Sequence, residues 1–482
     1  MINHSQLRNQ IPEYVFRVAD ILIDAGYEAH LVGGAVRDLL LSRSPKDFDL
    51  ATNAKPEDVQ KLFVKAITTN AAFGTVLIVI EDENGERKDV EVTTYRKEEN
   101  YIGGRWPSHV EFSSAIEEDL ARRDFTINAI AINFADFSDP GVSIEEIIVD
   151  PYKGVNDLLN KTIRAVRDPL ERFGEDGLRA FKACRLASEL DFEIEIDTFN
   201  AIQETLHVAK RISMERVREE LNKLLMFSPK PSKGIELLRM SGLLELFIPE
   251  LLELIGLVQP KWHADDVYTH SLKTLDLAED SIKLAALLHD IGKSRTKSED
   301  ETGIHFFGHD VEGSKMATEI LSRLRYSSKV VKRVASLVRW HMFYYPSAEY
   351  RKSESQDAAY EGGWSDAAVR RFIKNVGDEL IDDLFKLRIA DATANPHSQF
   401  EPNEITALQA RIAEIRRQEL AIKLSDLAIN GRDLIGLGIT SGPMIGKILN
   451  DLLEIVVEEP LSNKKEELLR IATDMYRDAQ GE

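Results

Sequence analysis

Apolar residues recur at helical spacing at the start of the chain: Ile11, Tyr14, Val15, Val18, Ile21 and Leu22 share one face within the first ~30 residues. The period then changes. His30-Leu31-Val32 runs into Gly33-Gly34 and predicts a strand ending in a glycine turn. Phe48–Ala51 predicts a second short strand. Thr75–Ile80, rich in β-branched residues, predicts a third, and the alternation over Asp89–Thr94 a fourth. Asp150-Pro151-Tyr152-Lys153-Gly154 reads as a turn. Beyond it the pattern is helical over 155–225, 232–345, 365–420 and 421–482. Two interruptions, Glu99–Pro107 with its Gly103-Gly104 and Ser353–Gly363, read as loops. The expected fold class is α+β. A small mixed α/β head (1–150) leads into a helical neck (151–225), a helical body (226–400) and a helical tail (401–482).

The length of 482 residues exceeds what one core organises, so several domains are expected. Hydrophobic residues at 43% and charged residues at 30% exclude a disordered chain. No run nears the ~20 apolar residues of a membrane span. The polar Met1–Asn9 segment does not read as a secretory signal. The single cysteine, Cys184, excludes an intramolecular disulfide and agrees with a reducing cytoplasm. Net charge is −21, opposite to the usual nucleic-acid binder, so polyanion binding has to rest on local basic runs. Arg323, Arg325, Lys329, Lys332, Arg333 and Arg339 form one such run, with no acid among them. It reads either as a solvated helix face or as a phosphate-contact patch. Lys464-Lys465 is a weaker one.

Asp47 and Asp49 are one residue apart on the second predicted strand, which puts both carboxylates on one face. Clustered acids repel unless a cation neutralises them, and phosphoryl transfer uses divalent metals held this way. Gly33-Gly34 allows close approach of backbone N–H groups to a phosphate, and Arg37 just beyond can fork onto phosphate oxygens. Glu91, from the fourth strand, is the candidate third acid. Each piece is ordinary alone. In this order they point to a two-metal nucleotidyl-transfer site.

The segments Leu31–Asp38 and Asp47–Thr52 together resemble the first motif of the class II tRNA nucleotidyltransferases, the CCA-adding enzymes grouped with bacterial poly(A) polymerases. Glu118–Ala129 resembles the second motif, Arg172–Arg179 the nucleotide-selecting motif, and Ile212–Arg216 the segment after it. The likeness is dense over ~20–225 and resumes at Leu427–Asp433. It implies a nucleotidyltransferase head with Mg2+ on Asp47 and Asp49. It implies Arg123 on the nucleotide's phosphates, Asp124 on its sugar, and Asp176 with Arg179 on its base. Physically, a carboxylate accepts from the exocyclic amine that cytosine and adenine share, and a guanidinium donates to the ring edge. An isolated pair three apart on a helix is more often a salt bridge. Arg122-Arg123 read alone is a surface pair. Lys182 and Arg185 match basic family positions; arginine is usual at the first, and lysine lacks its planar fork. The segment around Gly103-Gly104 matches a flexible loop that the family associates with adding the final A.

A second constellation lies in the body. Leu287-Leu288-His289-Asp290-Ile291-Gly292-Lys293 offers an imidazole and a carboxylate on an apolar helix, a mixed set that suits divalent ions. With His270, His309, His341 and Asp391, the order resembles the ligand set of an HD-type phosphohydrolase, holding an unidentified divalent metal, with Lys293 near a phosphate. Either an active or an inert regulatory domain fits. His263 and His305 fall off the pattern and read as structural. The expected function is template-independent addition of C, C and A to tRNA from CTP and ATP, without a membrane. The alternatives are a CC-only or A-only enzyme, a poly(A) polymerase, or an HD phosphohydrolase with a binding head. Oligomeric state is not readable from the sequence.

Overall fold

The computed structural model describes residues 4–70, 74–102, 106–137, 142–260, 264–301, 303–343, 345, 364–397, 402–419, 427–439, 442–458 and 462–480. The chain divides into two compact units, Met1–Glu253 with Ile320–Ser327, and Leu254–Glu319 with Ser328–Glu482. Among the described residues no helix is long and apolar enough to cross a membrane.

The first unit carries a seven-stranded sheet in the order β3-β4-β5-β2-β1-β8-β9. Its strands are β1 (His30–Val32), β2 (Asp49–Thr52), β3 (Ala66–Asn70), β4 (Thr75–Glu81), β5 (Arg87–Thr94), β8 (Ala131–Asn133) and β9 (Ile148–Val149). All four expected strands are present. β3, β8 and β9 are additional: β8 is only three residues long and β9 two, too short for a periodic signal. The sheet is antiparallel except for β2 and β5, which run parallel with Asp49 opposite Glu91. Residues in register on neighbouring strands point to the same face. Asp49 precedes the buried Leu50, and Glu91 lies between the buried Val90 and Val92, so the apolar residues go to the core and both acids to the other face. A core of Val32, Ala51, Tyr95, Ile116, Leu120, Ala129, Ala131 and Val166 ties helix Ile116–Ala121 to the centre of the sheet.

Three expectations are corrected. β2 begins at Asp49, so Asp47 lies in the segment before the strand rather than on it. Glu99–Pro107 is not a loop throughout: β6 (Arg96–Ile102) and β7 (Trp106–Phe112) pair antiparallel, and residues 103–105 lie outside the described set. Gly-Gly between two β-prone runs is itself a hairpin signal. The supposedly all-helical remainder contains two small strand pairs, β10 (Thr162–Ile163) parallel with β11 (Glu193–Ile194), and β12 (Ser298–Asp300) antiparallel with β13 (Gly303–His305). The Ser353–Gly363 loop reading lies outside the described residues.

The selecting motif departs from expectation as well. Its helix ends at Glu175, and a new one, Leu178–Leu190, starts after Gly177, so Asp176 sits in the break. The break is at Asp176 itself, whose backbone is extended (φ −143°, ψ 105°), and the Gly177 after it is tightly packed. A Cβ on Gly177 would stand 2.8 Å from the Ala209 backbone, whereas nothing lies within 4 Å of one on Gly174. Gly177→Ala is therefore expected to destabilise the unit by about 1–3 kcal/mol through overpacking. Gly174→Ala, inside helix Pro169–Glu175, should stabilise it by about 0.5–1 kcal/mol. Urea unfolding of both variants checks the opposite signs.

Candidate functional sites

In the first unit, Asp49 is pushed up to about 6: burial contributes most, then the Glu91 carboxylate, with Asp47 adding and Arg123 opposing. Three acids thus share one field: register brings Glu91 beside Asp49, and Asp47 acts from the segment before the strand. The donor set is anionic and of the kind a divalent cation takes, but its carboxylate oxygens do not gather within 4.8 Å of one another as the ligand atoms of the second unit do. Above it, Gly33 (φ +76°) turns the chain, and the space its Cβ would fill is taken by Arg123 Nη1 at 3.0 Å. Arg122 and Arg123 both donate to the fully buried Asp119, at 2.9 and 3.1 Å. Arg123 Nε is buried without a hydrogen-bond partner. Such an atom costs free energy unless a ligand supplies an acceptor.

Gly34 starts helix Gly34–Leu40. Arg37 on that helix is buried and donates to Asp38 (2.8 Å) and to Asn128 (2.9 Å), so its fork faces protein rather than an open phosphate site. Asn128 donates in turn to Asp124 (3.0 Å), which also accepts from the Phe125 N–H and lies 3.5 Å from Lys182 Nζ. Burial raises the Asp124 carboxyl, but Lys182, Asn128 and Arg179 outweigh it and hold it at about 2. Arg185 is enclosed by Glu189 (2.5 Å) and the buried Glu220 (2.6 Å).

Asp176 and Arg179 do not pair with each other. Arg216 grips Asp176 with two bonds, at 2.7 and 3.1 Å, and the Leu178 N–H adds a third. Arg179, buried, donates to Glu175 (2.5 Å) and to the carbonyls of Arg172 and Arg122. Arg216, Glu175, Asp119 and Asn128 are the partners that residue-by-residue reading did not single out. All four fall inside the motifs Glu118–Ala129, Arg172–Arg179 and Ile212–Arg216, but nothing in the sequence signals which residue each one holds.

In the second unit all six expected ligands converge. Two groups of three each have their ligand atoms within 4.8 Å: His270, His289 and Asp391, and Asp290, His309 and His341. Asp290 lies between them. Its Oδ2 is 3.2 Å from His289 Nε2, and its Oδ1 is 3.6 Å from both His309 Nε2 and His341 Nε2. His270 Nε2 meets Asp391 at 2.9 Å. The Nδ1 atoms of His289, His309 and His341 lie 2.7–2.8 Å from the Ala286, Phe306 and Val338 carbonyls. A carbonyl only accepts, so Nδ1 carries the proton and each Nε2 turns a lone pair inward, as metal ligation requires. His289 Nε2 is buried with no hydrogen bond of good geometry, a site lacking its partner. Burial raises Asp290, but Lys293 at 2.6 Å and His289 hold it well below the carboxylate range. Arg388 stands 3.0 Å from Asp391. A cavity of about 610 Å3 opens onto Asp290, Lys293, Arg388 and Asp391. His305, read as structural, lines it too, and His263 is outside the described residues.

Three of the six cations of the basic run are paired with acids of their own unit. Arg323 donates to Glu250, Arg333 to Asp383 and Arg339 to Asp310, while Lys465 of the tail pairs with Asp433.

The head's charge has a stability consequence. A folded carboxyl at about 6 against about 3.8 unfolded binds its proton more tightly when folded. The penalty is therefore absent below pH ~4, grows between pH ~4 and ~6, and is complete above. Without metal, Asp49→Asn should raise the melting temperature of the head at pH 7.5, by an amount corresponding to at most about 3 kcal/mol, and leave it unchanged at pH 4. Scanning calorimetry with a chelator checks this.

These geometries agree with what the chain is similar to. The family pattern described as Poly A polymerase head domain matches residues 29–164, HD domain matches 267–396, and tRNA nucleotidyltransferase domain 2 matches 387–472. The CCA-adding enzyme of Anoxybacillus flavithermus is 30% identical over 452 residues, 94% of either chain. That of Lactobacillus helveticus is 30% identical over 474 residues, 95% of this chain and 96% of its own. The solved Bacillus stearothermophilus CCA-adding enzyme in complex with CTP aligns with a TM-score of 0.61 at 26% identity, over 97% of this chain and 98% of its own. At 30% identity the likeness spans both chains nearly whole: the chain belongs to the CCA-adding enzyme family.

Proposed function

We propose that the protein adds C, C and A to the 3′ end of tRNA from CTP and ATP, without a template, in the cytoplasm. The observation that carries this reading is the fixed selector: Asp176 gripped by Arg216, and Arg179 gripped by Glu175 and two carbonyls, in the same unit as the Asp49–Glu91 pair. A selector held by protein groups needs no template strand. Asp176 accepts from the exocyclic amine of cytosine or adenine, and Arg179 donates to the ring edge. Uracil and guanine turn a carbonyl toward the Asp176 carboxylate and are repelled. Arg123 supplies its unpaired Nε–H to the triphosphate, Asp124 accepts from the sugar, and Lys182 holds Asp124 ionised. Asp47 and Asp49, with Glu91, would hold Mg2+, which lowers the pKa of the attacking hydroxyl and screens the phosphates when bound. The tRNA 3′-oxygen forms a bond to the α-phosphorus, the α–β bridging P–O bond breaks, and pyrophosphate leaves. Arg37 and Arg185, enclosed by Asp38 and Asn128 and by Glu189 and Glu220, serve to hold Asn128 and the selector helix in place.

The second unit supports a second activity of a different class, phosphate-ester hydrolysis. Its basis is the double set of ligands about Asp290. Divalent ions held there would activate water and polarise a phosphoryl oxygen.

Two substitutions separate the activities. Asp47→Ala should abolish incorporation of labelled CTP and ATP into tRNA, leaving any phosphate release intact. Asp290→Ala should abolish Mn2+ binding in the second unit, read by equilibrium dialysis, with incorporation unchanged. Asp176→Ala should lower CTP and ATP incorporation by about 10²-fold and erase discrimination against UTP and GTP. Discrimination retained in that variant would overturn the selector.

A further inference from the structure

The cavity over Asp290 and Asp391 is larger than a phosphate requires and is mixed in its lining. Those two carboxylates and two cations, Lys293 and Arg388, line it. So do Ile304, His305, Phe306 and Phe307. Gly303–His305 is the second strand of the β12–β13 hairpin, and Phe307 follows two residues on. His305 and Phe307 stack nearly parallel, with centroids 5.0 Å apart and planes at 11°. The Phe307 ring is 77% exposed, the second most exposed of the large apolar residues described. His305 Nε2 lies 3.1 Å from Asp300 on the paired strand, which fixes the imidazole plane. Two stacked rings, one held by a carboxylate and the other largely exposed at the cavity, are poorly explained by packing, because Phe307 buries little.

Resting on the hydrolase reading of the second unit, we propose that the His305–Phe307 pair is a stacking platform that selects phosphate esters bearing a nucleobase. A planar base gains about tenfold or more in affinity from one such ring, with little sequence preference because every base has a π face. The phosphate then reaches Lys293 and Arg388. The volume of about 610 Å3 falls in the range of small-ligand sites, with room for base and sugar as well as phosphate. In the reaction a water oxygen bonds to phosphorus, the ester P–O bond breaks, and the water's proton ends on the departing alkoxide oxygen. Phe307 and His305 are specificity residues here and touch no reacting atom.

The test compares GMP, whose guanine the head selector refuses, with ribose 5-phosphate, which lacks a base. With Mn2+, the wild type is expected to release phosphate from GMP with kcat/KM about tenfold or more above ribose 5-phosphate. Phe307→Ala should raise KM for GMP about tenfold, leaving kcat and the ribose 5-phosphate constants unchanged. Phe307→Tyr should restore the KM, and CTP incorporation should match wild type in both variants. Equal kcat/KM for the two substrates, or an equal loss for both in Phe307→Ala, overturns the platform. If neither ester is hydrolysed, the hydrolase reading fails by itself. Equilibrium dialysis of GMP and ribose 5-phosphate with the Mn2+-loaded protein then decides the platform. Tighter GMP binding that Phe307→Ala abolishes upholds it, and equal binding of the two overturns it.

Discussion

The parallel pairing of β2 with β5 is the constraint on which the head depends. It sets Asp49 beside Glu91 on the exposed face while Leu50, Val90 and Val92 fill the core. One backbone register therefore fixes both the hydrophobic face and a charge that the folded protein does not neutralise alone. The raised Asp49 carboxyl is the signature of that imbalance. A slip of one residue would bury the acids and expose the valines, so the core enforces the site's geometry.

The surrounding cations are arranged so that few are spent on one another's needs. Buried Asp119 aligns Arg122 and Arg123, Glu175 aligns Arg179, and Arg216 aligns Asp176. Each of these groups is oriented by an opposite charge that keeps it from swinging. This accounts for a strongly acidic protein acting on polyanions: many of its acids serve as holders for the arginines. The second unit uses the converse device. There a single carboxylate, Asp290, is ringed by imidazole lone pairs, and Lys293 keeps it ionised.

Legibility in the sequence followed the physics of each signal. The four expected strands, and the six candidate side chains of the second unit, rest on residue type and spacing along regular elements; the strands are present and the six side chains converge. The helix break at Asp176 is not legible because the partner of that extended residue, Arg216, and the close neighbour of Gly177, Ala209, both lie thirty to forty residues away in the chain. Arg216 was quoted within a motif but given no partner, since its partner lies forty residues upstream. The β12–β13 hairpin escaped because Ser298-Glu299-Asp300 carries no apolar alternation, and with it went the meaning of His305. The basic run from Arg323 to Arg339 looked free of acids only along the chain. Glu250, Asp383 and Asp310 reach it through the fold.

The most direct measurement is incorporation of labelled CTP and ATP, with Mg2+, into a tRNA lacking its last three nucleotides, with products resolved to single nucleotides. Addition of C, C and A followed by a stop is the result this account predicts. A stop after two C residues, A added only to a substrate already ending in CC, or an open-ended ladder of A would contradict it.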